Sequence, residues 1–144
     1  MLLDNWIFYV NPILWRKKMD KKLFELGLSK RKATLGSDYV EKNLASADDF
    51  NRDFQEQMTE WCWGFGWGDD TIDEKTRSMM NLTMIAALGK MDEWEIHCKG
   101  ALKNGVSKEE IKSILHVIAI YCGVPQGVEC FRIARKVLEE AGEI

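Results

Sequence analysis

The stretch SKEEIKSILHVIAIYCGVP, residues 107–125, decides the fold. Ser107 followed three residues later by Glu110 has the form of a capping box, in which each side chain satisfies a free backbone N–H of the other at a helix start. Behind it, Ile111, Ile114, Leu115, Ile118, Ala119 and Cys122 recur at the spacing of one helix face. Val117, Ile120 and Tyr121 add a second apolar surface on the far side. Gly123 supplies a stop, and Pro125 suits the first turn of a following helix. A helix apolar on two faces in so short a chain predicts that one face meets the core and the other a second subunit.

The same signals repeat in both directions along the chain. Downstream, the last helix runs from Pro125 to Gly142. Upstream, Asp92 with Glu95 reads as another capping box, opening a helix that stops at Asn104-Gly105. Before that, Asp73 opens a helix whose body, Met79 to Leu88, is apolar nearly all round and is expected at the centre of the fold. The first half predicts a helix from Asp20 to Leu35 stopped by Gly36, then a short one capped by Ser37 and running to about Ala45. A third, capped by Asp48 or Asp49, carries Phe50, Phe54, Met58 and Trp61 into Gly64-Phe65-Gly66-Trp67-Gly68. No alternating strand pattern occurs. Capped helices joined by short turns predict an all-α, antiparallel bundle of about six to seven helices. The domain spans residues 19–144, and residues 1–18 are an apolar leader interrupted by Asp4, Asn5, Asn11 and Pro12. That leader is too short for a membrane span, and its positive charges follow the apolar part, the reverse of a signal peptide.

At 144 residues, 46% apolar and 30% charged, the chain has the composition of one globular domain. A net charge of −3 gives no electrostatic reason to expect nucleic acid as a partner. Arg16, Lys17, Lys18, Lys21, Lys22, Lys30, Arg31 and Lys32 crowd one end and read as a solvated helix face. Cys62, Cys98, Cys122 and Cys130 show no close pairing, which predicts reduced thiols in a cytoplasmic protein without membrane association.

Chemistry has few places to sit. His97 lies beside the apolar stripe of its helix, where it is either a satisfied core histidine or an acid–base group. His116, between Leu115 and Val117, is expected to be half-buried. Glu93 and His97 are four residues apart, but two histidines without a carboxylate–histidine cluster do not make a metal site, and none is expected. No Cys-x-x-Cys, phosphate loop or Gly-x-Ser-x-Gly elbow is present. Thr59-Glu60-Trp61-Cys62-Trp63-Gly64-Phe65-Gly66-Trp67 places three tryptophans in seven residues. The plain account is a core plug, which fits Trp61. The sharper account is a pocket wall of Trp63 and Trp67 enclosing the Glu60 carboxylate. Arg77 is a candidate clamp for a substrate carboxylate, since a cation in a helix's first turn opposes the helix dipole and asks for another reason.

Taken in order, Thr59-Glu60-x-Cys62-Trp63-Gly64-x-x-Trp67, Thr76-Arg77-Ser78, Glu95-x-His97-x-x-Gly100-Ala101-Leu102-x-Asn104-Gly105-Val106, Glu109-Glu110-Ile111 and Tyr121-Cys122-Gly123-Val124-Pro125 resemble the carboxymuconolactone decarboxylase family, from about Leu23 to Leu138. The resemblance implies an alkylhydroperoxidase D-like helical fold assembled as trimers or hexamers. One branch of that fold carries Cys-x-x-Cys just ahead of the histidine matching His97. Here those positions are Lys90 and Glu93, so the chain resembles the cofactor-free decarboxylase branch. Gly68-Asp69-Asp70-Thr71-Ile72 replaces the usual Arg-Pro-Gly-Leu-type turn and removes a possible substrate-binding cation.

The implied reaction is loss of carbon dioxide from a 4-carboxymuconolactone-like substrate of aromatic-compound catabolism. Arg77 would bind carboxylate, His97 would donate to the developing oxyanion, and Glu60 or His116 would return a proton to carbon. Trp63 and Trp67 would bind the substrate and exclude water. Two alternatives stand beside it: a thiol–disulfide or peroxide-defence protein, using for example Cys62 and Cys122, and a non-catalytic oligomer that binds a small ligand.

Overall fold

Each helix starts and stops for a local reason. The computed structural model describes residues 19–144, so the leader lies outside the described residues. Helix α1 (Lys21–Leu35) begins where the Asp20 carboxylate accepts hydrogen bonds from the backbone N–H of Lys22 and Leu23 at 3.0 and 3.2 Å. Helix α2 (Ser37–Ala45) follows directly. Its boundary residue is Gly36, and Ser37 is the first helical residue rather than the cap.

Helix α3 (Arg52–Met58) runs without interruption into a π-helix (Thr59–Gly66). Helix α4 (Glu74–Ala87) is capped by Asp73, which accepts from the Thr76 N–H at 2.7 Å. Helix α5 (Met91–Lys103) starts without a side-chain cap. The expected Asp92–Glu95 box does not form, because Asp92 already lies inside the first turn and Glu95 pairs with Lys99 and Lys136 instead. The box that opens α6 (Lys108–Tyr121) does form: Glu110 N–H donates to Ser107 Oγ at 3.1 Å, and Ser107 N–H to Glu110 Oε2 at 2.8 Å. Gly123, at φ 95°, turns the chain into α7 (Val124–Glu140), in a backbone conformation that L side chains avoid.

Among the described residues every regular element is helical. The core is built by α4, α5, α6 and α7, where Leu82, Trp94, Ile111, Leu115, Ile118 and Val137 are buried together. Trp94 also finds a partner for its indole N–H in the Leu82 carbonyl, 3.0 Å away. The central helix α4 is less enclosed than its sequence predicts. Leu82 and Ala86 are buried, whereas Met80, Met84 and Leu88 are exposed. Val117, Ile120 and Tyr121 of α6 are exposed as well.

Helix α1 packs on the π-helix, backbone against backbone. A Cβ added to Gly27 would lie 2.0 Å from the Thr59 carbonyl oxygen, and one on Gly64 would lie 2.3 Å from that of Leu23. Arg31 secures the same contact. It is buried rather than part of a solvated face, and its guanidinium donates to Thr59 Oγ1 at 3.0 Å and to Gln55 Oε1 at 3.1 Å. The start of α4 is tied back to α1 by Lys30, which bridges Asp70 and Glu74 at 3.3 and 2.5 Å.

Candidate active site

The wide turn of the π-helix selects which aromatic side chains face inward. Its buried positions fall at 59 and 60, at 63 and 64, and then at 67. That recurrence every four residues or slightly more belongs to a π-helix rather than to the 3.6-residue period of an α-helix. Trp63 and Trp67 are therefore buried. Trp61, expected in the core, is 59% exposed along with Phe50 and Phe54. The aromatic stripe read from Phe50 to Trp61 thus faces solvent from its start, ahead of the π-helix, and the buried face is the one carrying Trp63 and Trp67.

The two buried rings stack on each other with centroids 4.7 Å apart. His97, from α5, completes the group. Its ring lies parallel to that of Trp63 at 6.0 Å and tilted against Trp67 at 6.4 Å. Burial pushes the imidazole down from its ordinary 6.5 to about 4, so the ring is neutral at physiological pH. Its Nδ1 lies 3.1 Å from the side-chain amide nitrogen of Asn81 on α4.

Glu60 is buried on the same face of the π-helix, at 7% exposure, and its carboxylate accepts from the Asp20 backbone N–H at 3.3 Å. Arg77 has a different setting from the one its sequence context suggests. Its Nη1 donates to the Gly66 carbonyl at 2.6 Å, and Nη2 donates to the carbonyls of Ile72 at 3.0 Å and of Asp69. It thus holds the turn that contains Trp67, while its buried Nε has no partner. His116 is exposed rather than half-buried, and its ring meets the edge of Phe131 from α7. The structure thus brings together His97, Trp63 and Trp67, whereas the contact shown for Glu60 is to the start of α1 and those of Arg77 are to the carbonyls of Gly66, Asp69 and Ile72. His116 stands apart.

Sequence reasoning missed Asn81 and Arg31. The signal for Asn81 was present, because it is the one amide inside the largely apolar run from Met79 to Leu88. No three His, Cys, Asp or Glu residues among those described are grouped so as to hold a metal ion. No described helix is long and apolar enough to cross a membrane.

A model of the carboxymuconolactone decarboxylase family matches residues 52–136, which contain the π-helix, the Arg77 loop and His97. The chain belongs to this family. Within it, the chain is 37% identical over 123 residues to a nitrosuccinic acid decarboxylase of Metarhizium robertsii, covering 85% of this chain and 86% of the relative. It is 31% identical over 123 residues to a 4-carboxymuconolactone decarboxylase of Acinetobacter baylyi, covering 85% and 92% respectively. Both relatives are named decarboxylases, and the class of this carboxymuconolactone decarboxylase family member is that of a carboxy-lyase.

Proposed function

We propose that this enzyme removes carbon dioxide from a small carboxylated unsaturated lactone of the 4-carboxymuconolactone type, a step of aromatic-compound catabolism, without a cofactor. The observation that carries the reading is a neutral, half-buried histidine packed against two stacked tryptophans. When the C–CO2 bond breaks, its electron pair moves through the conjugated system onto the carbonyl oxygen. A neutral N–H directed at that oxygen, in a site from which aromatic rings exclude water, stabilises the charge where it develops. A nitro group beside a carboxylate receives an electron pair in the same way, which makes a nitrosuccinate-like substrate chemically equivalent at this site.

The proton returned to carbon is assigned to Glu60, whose buried carboxyl shares the face of Trp63; His116 is too far out on the surface of α6 for this role. Arg77, with its unpartnered Nε, is assigned to the substrate's retained carboxylate. The exposed apolar face of α6 and α7 is assigned to further copies of the chain, as a trimer or hexamer in the cytoplasm.

The thiol alternative is disfavoured by the cysteines themselves. Burial pushes the Cys98 and Cys130 thiols up to about 12 and about 11, and raises that of Cys62 as well, opposite to the shift a reactive thiolate needs. The reading is tested by measuring carbon dioxide release from 4-carboxymuconolactone and from nitrosuccinate. Turnover of one of them, falling about 10²–10³-fold in a folded His97→Ala variant, is expected for a lost oxyanion donor. No release from either substrate would overturn the proposal and leave a ligand-binding oligomer.

A further inference from the structure

Asn81 and His97 meet across the α4–α5 contact with the amide nitrogen of one 3.1 Å from Nδ1 of the other. An amide nitrogen can only donate, and a ring nitrogen that receives that hydrogen cannot carry one of its own. We propose that Asn81 is the positioning residue of the site, fixing His97 as the tautomer protonated at Nε2 and thereby presenting Nε2–H as the hydrogen-bond donor to substrate. This deepens the decarboxylase reading and takes its chemical purpose from it.

Three observations converge on this arrangement. Asn81 interrupts an apolar run, where a polar side chain costs stability unless it has a partner. His97 is neutral through burial alone, with no carboxylate or cation contributing to the shift, so a single proton has to be placed on one of its two nitrogens. The rings of Trp63 and Trp67 flank the imidazole but offer no acceptor that would hold that proton on a chosen nitrogen. Left to itself, a neutral imidazole divides its population between two tautomers, and only one of them presents a donor at a given position. A donor facing Nδ1 also opposes protonation there, so it keeps the ring neutral as well as oriented.

The tautomer is read directly from long-range proton–nitrogen correlation spectra of the full chain labelled with 15N-histidine. There are two histidines, and a His116→Gln variant assigns them. At neutral pH the His97 spectrum is expected to show an unprotonated Nδ1 and a protonated Nε2. The opposite pattern, or the averaged pattern of exchanging tautomers, would overturn the proposal. Asn81→Asp places an acceptor where the donor was, so His97 should move its proton to Nδ1 or become doubly protonated. A folded Asn81→Asp variant with the unaltered pattern would also overturn it. If that variant does not fold, the wild-type spectrum alone decides. Because no substrate is present, the outcome is independent of turnover. An Nε2–H histidine in a protein that releases no carbon dioxide would sink the decarboxylase reading and leave this assignment standing.

Discussion

The Arg77 guanidinium donates to the Gly66 carbonyl at 2.6 Å, which joins the start of α4 to the end of the π-helix. With its bonds to Asp69 and Ile72, one side chain gathers three carbonyls from a seven-residue turn. That turn contains Trp67, and Asn81 stands one helical turn beyond Arg77 on the same face of α4. One helix therefore fixes both sides of the site: the loop beneath the tryptophans and the partner of the histidine.

Replacing Arg77 with alanine should therefore cost stability as well as substrate binding. Hydrogen bonds from a charged donor are worth about 1.5–3 kcal/mol each and are not additive, so a loss of roughly 2–4 kcal/mol is expected. Urea denaturation reads it. An unchanged midpoint, with only KM raised, would mean that the carbonyl contacts contribute nothing and that Arg77 acts on substrate alone.

Gly27 and Gly64 should not tolerate alanine. The atoms that a new Cβ would meet at 2.0 and 2.3 Å are backbone oxygens, which no rotamer change can move. Separation of α1 from the π-helix would shift Glu60 and Trp63 together. We expect Gly27→Ala to destabilise by about 3 kcal/mol or more, at the upper end for overpacking. Near-wild-type thermal stability in Gly27→Ala would show that the two backbones are not in contact.

What the sequence disclosed, and what it did not, follows from the range of the physics involved. The caps at Asp20, Asp73 and Ser107 were legible because a side chain satisfies N–H groups two or three residues away. His97, Trp63, Trp67 and Glu60 were legible as unusual residue types in an unusual arrangement. The π-helix was not, because helical periodicity is read at 3.6 residues per turn, and Phe50, Phe54 and Trp61 read as a core face although all three are exposed. Arg31 looked like one charge in a basic cluster, since its partners, Gln55 and Thr59, lie 24 and 28 residues away. The partners of Arg77 are carbonyl oxygens, which every residue possesses and no motif marks.

The surface left over by this packing makes its own forecast. Ile120 and Tyr121 of α6 are 75% and 84% exposed, and Val124 and Val128 of α7 are exposed beside them. Tyr121 also borders a groove of about 320 Å³ shared with Leu88, the exposed residue that caps the end of α4. Patches of this kind are uncommon on monomers. Sedimentation at micromolar concentration should show a trimer or hexamer, and Ile120→Glu combined with Val124→Glu should give a smaller species. A wild-type monomer at that concentration would remove the oligomer from the proposal.

The burial of His97 also sets a pH dependence with a definite sign. In the unfolded chain a histidine takes up its proton near 6.5, but folded His97 does so only near 4. Between those values the unfolded state binds more protons, so lowering the pH favours unfolding. The contribution is fully present above 6.5 and is lost as the pH falls toward 4. The separation corresponds to at most about 3 kcal/mol. Carboxylates held low by their partners, such as Glu74, Glu95 and Glu110, lose stability over part of the same range, but they do so equally in a His97→Gln variant. Urea midpoints of both proteins, measured at about pH 7, 5 and 4, should therefore diverge, with the wild type losing more stability on acidification. Parallel losses would show that the imidazole ionises as freely in the folded protein as in water. A histidine of that kind would be a cation through much of the acid range, and the neutral donor on which the decarboxylation chemistry depends would lose its physical basis.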